Sequence, residues 1–177
     1  MTEMKKILSN LSNRVIFNVK KSCGKHNNLY KRYSKYSTIL SLERSFTTMM
    51  GLTLQEIAEK CSTNLKVENT DVKKKKLLGV DLRVFDGDKT YEGQLKSHQN
   101  TQTGTHKGNS IEKLIETSSK NKTIPFMAIA FSEPFDYTKN GIRYIGGESF
   151  WNWIGVDYTE LHQNIESTIH ECENSII

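Results

Sequence analysis

LLGVDLRVFDGDKTYEGQLKSHQN, residues 77–100, is the stretch on which the fold turns. Asp86-Gly87 sits at its centre. Ahead of it Val80, Leu82 and Val84 alternate with Asp81 and Arg83; after it Tyr91 and Leu95 alternate with Glu92, Gln94 and Lys96. A side-chain period of two marks strands, and Asp-Gly tolerates the positive φ values of a type I′ turn, so the stretch predicts a β-hairpin. With Asp86 and Gly87 as the two loop residues, Phe85 pairs with Asp88 and Asp81 lies opposite Glu92. A four-residue loop sets Asp81 opposite Gln94 and keeps the same faces, whereas a three-residue loop destroys them. One face then carries Val80, Leu82, Val84, Tyr91 and Leu95 onto the core, and the other gathers Asp81, Arg83, Glu92, Gln94 and Lys96 on a wet surface.

Two carboxylates and an ammonium this close suit a divalent metal site beside a proton-handling group. On this reading Asp81 and Glu92 hold Mg²⁺, the Gln94 amide oxygen and the Leu95 carbonyl add neutral ligands, and Lys96 stabilises or helps deprotonate an attacking water. The matching chemistry is phosphodiester hydrolysis. The competing reading is a strand face with ordinary cross-strand ion pairs.

Working outward, apolar residues at spacings of three and four (Ile39, Leu42, Phe46, Met49, Met50, Leu54, Ile57, Ala58) predict helix over residues 38–61. Gly51 is a possible break, and Thr53 with Glu56 fits a capping box for a second helix. Residues 64–76 turn polar and end in Lys73, Lys74, Lys75 and Lys76, an exposed run suited to a loop, an edge guard or phosphate contact. Beyond the hairpin, a cap at Asn109 with Glu112 and the spacing of Ile111, Leu114 and Ile115 predict a helix over 109–120. Residues 123–131 and 142–145 read as buried strands. The polar segment 97–107 supplies amides, hydroxyls and imidazoles: Gln99, Asn100, Gln102 and Lys107 are the candidate DNA contacts, since Asn and Gln match adenine edges and lysine matches phosphate.

Composition bounds the rest. The chain has 177 residues, 36% apolar and 25% charged, with 2 Pro and 11 Gly, as expected of a folded domain rather than a disordered or collagen-like chain. Mean hydropathy is −0.58, and no window approaches the run of apolar residues that a membrane-spanning helix needs. Cys23, Cys61 and Cys172 are odd in number and far apart, which argues against a disulfide scaffold and for thiols in a reducing, cytoplasmic setting. The net charge of +5 is unevenly spread: residues 1–80 hold 16 Lys and Arg against 6 Asp and Glu, residues 81–177 hold 9 against 14. That asymmetry points to a polyanionic partner for the first half. Residues 1–36, rich in Lys and Arg and containing Tyr30, Tyr33 and Tyr36, read either as a basic N-terminal arm that tracks phosphates or as an amphipathic helix burying Leu8, Leu11 and Val15. Residues 37–177 form the main domain.

Val80-Asp81, followed across a hairpin by Glu92-Gly93-Gln94-Leu95-Lys96, resembles the PD-(D/E)XK nuclease motif. Asp81 stands at the first acid, Gln94 at the second and Lys96 at the lysine; Val80 replaces the proline. A Gln-x-Lys variant is similar to that of some members of the superfamily, in which a neighbouring acid compensates, and Glu92 is the nearest one. The helix around Glu43 and Glu56 resembles the N-terminal helix of type II restriction endonucleases, where an accessory metal-site glutamate sits. Gly146-Gly147-Glu148-Ser149-Phe150-Trp151-Asn152-Trp153-Ile154-Gly155 is similar to Gly-x-x-Phe-Trp segments of such enzymes, and its aromatics Trp151 and Trp153 are read as structural anchors for the C-terminal helices.

The resemblance implies an α/β fold with a restriction-endonuclease-like core, a central mixed sheet flanked by helices. It also implies a Mg²⁺-dependent, sequence-specific endonuclease acting on double-stranded DNA as a homodimer. The alternatives are a DNA-binding protein with a decayed site, and a junction-resolving or repair nuclease.

Overall fold

The computed structural model describes residues 2–23, 34–70, 79–98 and 104–176, without the side chains of residues 22–23, 34–41, 104–109 and 176. The contacts divide the chain into two compact units, Met1–Thr53 with Thr159–Ile177, and Leu54–Tyr158.

The first unit is helical. α1 (Glu3–Cys23) buries Met4, Ile7, Leu8, Leu11, Val15 and Val19, a stripe at three- and four-residue spacing that leaves its lysines in solvent. α2 (Ser34–Cys61) runs without interruption past Gly51. No second helix starts at Thr53. Its hydroxyl donates to the Met49 carbonyl one turn back (3.0 Å), a bond available only inside a helix that is already formed. α5 (Tyr158–Ile176) buries Leu161, Ile165, Thr168 and Cys172. Polar contacts tie these helices together: Asn18 donates to the Met49 sulfur and Asn164 to the Met4 sulfur, both at 3.6 Å, and the Cys172 thiol lies 3.5 Å from the Ser12 hydroxyl. Burial pushes the Cys172 thiol up from its ordinary pKa, partly offset by that hydrogen bond. Among the described residues no helix is long and apolar enough to cross a membrane.

The second unit is an α/β layer built on a six-stranded mixed sheet in the order β1-β2-β3-β4-β6-β5. The strands are β1 (Lys66–Asn69), β2 (Leu82–Asp86), β3 (Lys89–Lys96), β4 (Ile124–Ile129), β5 (Phe135–Lys139) and β6 (Ile142–Gly146). β1, β2 and β3 pair antiparallel; β4 is parallel to β3, and β6 to β4. Antiparallel neighbours need only a turn, but the parallel step from β3 to β4 needs a crossover, and α3 (Gly104–Asn121) supplies it. α4 (Glu148–Ile154) follows β6.

Phe126 and Met127 are consecutive on β4 and therefore point to opposite faces. Met127 packs with Leu114 of α3 and with Val80 and Ile142, while Phe126 meets Phe150 and Trp153 of α4. The two helices thus cover the two faces of the sheet. Trp151 is fully buried, with its indole N–H on the Ala130 carbonyl (3.0 Å), and the Trp153 ring meets Tyr91 edge-on at 5.1 Å. Both act as the structural anchors expected of them.

The β2–β3 hairpin forms, but its loop lies one residue further on than Asp86-Gly87. Asp86 pairs with Lys89 and Arg83 with Glu92, leaving Gly87 and Asp88 as the loop. Only Gly87 has positive φ (59°), so a glycine at the first loop position suffices and the two positive values of a type I′ turn are not used. The pairing equals that of the four-residue alternative and sets Asp81 opposite Gln94.

Three other expectations change. Residues 66–69 form an edge strand with Val67 and Asn69 buried rather than an exposed polar stretch, because Val67 pairs with the core residue Val84. The lysine run at residues 73–76 lies outside the described residues. α3 begins at Gly104, ahead of Asn109. Val80 leaves the face of Leu82 and Val84 to join Leu114 and Met127, because the chain is not yet extended ahead of β2. Asn140-Gly141, with φ of 51° and 75°, joins β5 to β6, an Asn-Gly hairpin signal that the strand reading of residues 142–145 passed over.

Gly93, between Leu82 of β2 and Phe126 of β4, is required by close approach. A Cβ there would come within 2.4 Å of both the Phe126 ring and its carbonyl oxygen. Gly93→Ala is expected to cost about 1–3 kcal/mol, read as a lower urea midpoint with unchanged slope.

Candidate catalytic site

Asp81 stands where the chain enters β2, and hydrogen bonds hold the backbone around it. Its N–H donates to the Gly93 carbonyl (2.8 Å), and its carbonyl accepts the Thr70 N–H (3.0 Å). The Thr70 hydroxyl donates to the Val80 carbonyl (2.5 Å), and the Gln94 amide nitrogen to the Gly79 carbonyl (2.9 Å). Thr70 is held in turn from α2: the Glu59 carboxylate accepts the N–H of the preceding residue, Asn69, at 3.1 Å. Three consecutive carbonyls, of Gly79, Val80 and Asp81, thus have defined donors, which fixes the direction in which the Asp81 side chain leaves the chain.

That side chain turns across the hairpin. Asp81 Oδ2 accepts the Leu95 backbone N–H at 3.1 Å and lies 3.7 Å from Lys96 Nζ. The two side chains are 18% and 26% exposed, so both reach solvent from a largely covered position, where their attraction is screened less than on an open surface. Asp81, Leu95 and Lys96 are therefore brought together, and Gln94 holds the chain two residues ahead of Asp81, at Gly79. The face that holds them is not the open wet surface expected of it. α3 covers it, leaving Gln94 only 3% exposed and Glu92 fully buried, because the parallel β3–β4 pairing requires a crossover helix on one face.

Glu92 is engaged in a separate network. Its Oε1 accepts from Arg83 Nε at 3.0 Å and from an Arg83 terminal nitrogen, the Asn121 amide donates to both oxygens at 3.0 Å, and the Thr123 hydroxyl donates to Oε2 at 2.9 Å. A carboxylate removed from water needs this many donors, and here it links β2, β3 and the end of α3. Asn121 and Thr123 escape a sequence reading because nothing in their local pattern announces a buried acid; Thr70 and Gly79 escape it for the same reason.

Among the described residues no three His, Cys, Asp or Glu side chains converge as a metal-holding group. The other oxygens of the expected ligand set are neutral, the Leu95 carbonyl and Gln94 Oε1. The latter is buried with no hydrogen-bond partner among the described residues. An all-oxygen set with one carboxylate fits Mg²⁺, which binds through one or two carboxylates and keeps several waters, and a cation would satisfy the orphaned amide oxygen.

Glu56 on α2 pairs with Lys60 at 2.6 Å. Glu43 belongs to the first unit, where with Leu42, Phe46, Ile169, Cys172 and Glu173 it lines a cavity of about 310 Å³. Gln99, Asn100 and Gln102 lie outside the described residues; Lys107 falls within α3 and its side chain lies outside them too.

Because Arg83 supplies charge-assisted bonds to a buried carboxylate, Arg83→Ala should destabilise by about 1–3 kcal/mol in urea unfolding, with Asn121 and Thr123 retaining part of the network. Comparison with known proteins adds no relative: no protein-family model matches the chain, and no curated protein matches it.

Proposed function

We propose that the chain is a Mg²⁺-dependent nuclease with a restriction-endonuclease-like core, hydrolysing phosphodiester bonds in double-stranded DNA. The observation that carries this reading is the Asp81 carboxylate, held by the Leu95 N–H at 3.1 Å and 3.7 Å from the Lys96 ammonium, at the end of a hairpin followed by a helix and a parallel strand. α2, β2–β3, α3 and β4 supply the helix, hairpin, helix, strand order of the nuclease resemblance, and Asp81, Gln94 and Lys96 occupy its three motif positions.

In this reading Asp81, Gln94 Oε1 and the Leu95 carbonyl would hold Mg²⁺, which would supply charge neutralisation of the scissile phosphate. Lys96 orients the attacking water and balances the charge that develops as the water oxygen bonds to phosphorus and the ester P–O bond breaks. Glu92, with its oxygens taken by Arg83, Asn121 and Thr123, holds the sheet to α3 rather than serving as the second acid. Action on a specific site by a twofold dimer, in the reducing cytoplasm, completes the proposal.

A DNA-binding protein with a decayed site is the second reading, favoured by the amide at position 94 and by the lack of a converging acid cluster among the described residues. Plasmid cleavage with Mg²⁺ separates the two. The nuclease reading expects discrete fragments from wild type and a loss of at least about a hundredfold in rate for Asp81→Ala and Lys96→Ala, with both variants still folded. Equal cutting by all three rules out this site, and no cutting by wild type favours the binding protein.

A further inference from the structure

Gln94 carries two amide atoms with different fates. Nε2 donates to the Gly79 carbonyl at 2.9 Å, while Oε1 is buried without a hydrogen-bond partner among the described residues. The two ends are not interchangeable, because a carbonyl oxygen accepts only a donor. A glutamate of the same shape would set a second oxygen against the Gly79 oxygen, removing the bond and adding repulsion in a site that is 97% covered, with Gln94 only 3% exposed.

Gly79 begins the segment that ends at Asp81. Its neighbours on that segment are clamped from β1 by Thr70, while Gly79 is clamped from β3 by Gln94. On the other side Gly79 abuts α3, where a Cβ would lie 3.2 Å from Lys113 Cβ, so the turn has little room to shift toward the helix.

We propose that Gln94 is a positioning residue for Asp81: its amide donor holds Gly79 and so sets the Asp81 carboxylate against the Leu95 N–H. The amide then acts through both ends: its nitrogen holds Gly79, which a carboxylate cannot do, while its oxygen stays available to the cation of the proposed site. The inference rests on the nuclease reading for its catalytic meaning and deepens it, since it explains why a donor stands where the resemblance places a carboxylate.

Site-resolved hydrogen exchange on the full chain without Mg²⁺ tests it. The probes are the Asp81 N–H, bonded to Gly93, and the Leu95 N–H, bonded to the Asp81 side chain. Gln94→Glu, which swaps donor for acceptor, and Gln94→Met, which removes the donor without charge, should each speed exchange at both amides about tenfold, while Tyr144 and Ile145 of β6 keep their protection as a folding control. Unchanged exchange at Asp81 and Leu95 in the two variants overturns the proposal. In the plasmid assay Gln94→Glu should cut more slowly than wild type even though it restores the acid; equal or faster cutting overturns the positioning role. If wild type does not cut at all, the nuclease reading fails, and the exchange result still decides whether the amide holds Gly79.

Discussion

β3 is paired in two different ways, antiparallel to β2 and parallel to β4, and the rest of the second unit follows from that difference. An antiparallel neighbour is reached through a turn at Gly87 and Asp88. A parallel neighbour can be reached only by carrying the chain back over the sheet, so α3 lies on the face from which Glu92 and Gln94 project. Polar side chains that a free-standing hairpin would show to water are thereby enclosed, and each needs partners from the surrounding elements. Glu92 finds Arg83, Asn121 and Thr123; Gln94 finds Gly79. Toward the end of the strand Asp81 and Lys96 remain part-exposed and pair with each other at 3.7 Å.

The same enclosure separates two roles that one strand face holds side by side. Charge that is fully covered and saturated with donors contributes to the fold, since its lone pairs are spent. Charge that is largely covered, with its backbone fixed and its carboxylate accepting a backbone N–H, is held in place while still reaching solvent. Glu92 belongs to the first kind and Asp81 to the second, although both are acids on the same face of one hairpin.

Much of this was legible in the residues. Alternation in 80–84 and 91–95 indicates the hairpin, and the even loop keeps Asp81, Gln94 and Lys96 together. The three- and four-residue spacings indicate α2 and α3, and the apolar runs indicate β4 and β6. The exact loop was not legible, because Asp86-Gly87 and Gly87-Asp88 are both acceptable turn pairs and only the closing of Asp86 on Lys89 decides between them. Thr53 looks like a cap in sequence because Ser and Thr bond nearby backbone both at helix starts and inside helices. β1 was hidden because a four-residue edge strand with one buried valine has too little pattern to stand out from a polar loop.

The sequence by itself determined the hairpin, the shared side of Asp81, Gln94 and Lys96, the flanking helices and the absence of any long apolar run, since these depend on side-chain period and turn chemistry within a few residues. Tertiary structure alone decided that this side is roofed by α3, that Glu92 is spent on Arg83, Asn121 and Thr123, and that Gln94 faces Gly79 with its nitrogen. Those outcomes depend on groups up to 31 residues apart in the chain, whose meeting is set by strand order and by the cost of leaving covered polar atoms without partners.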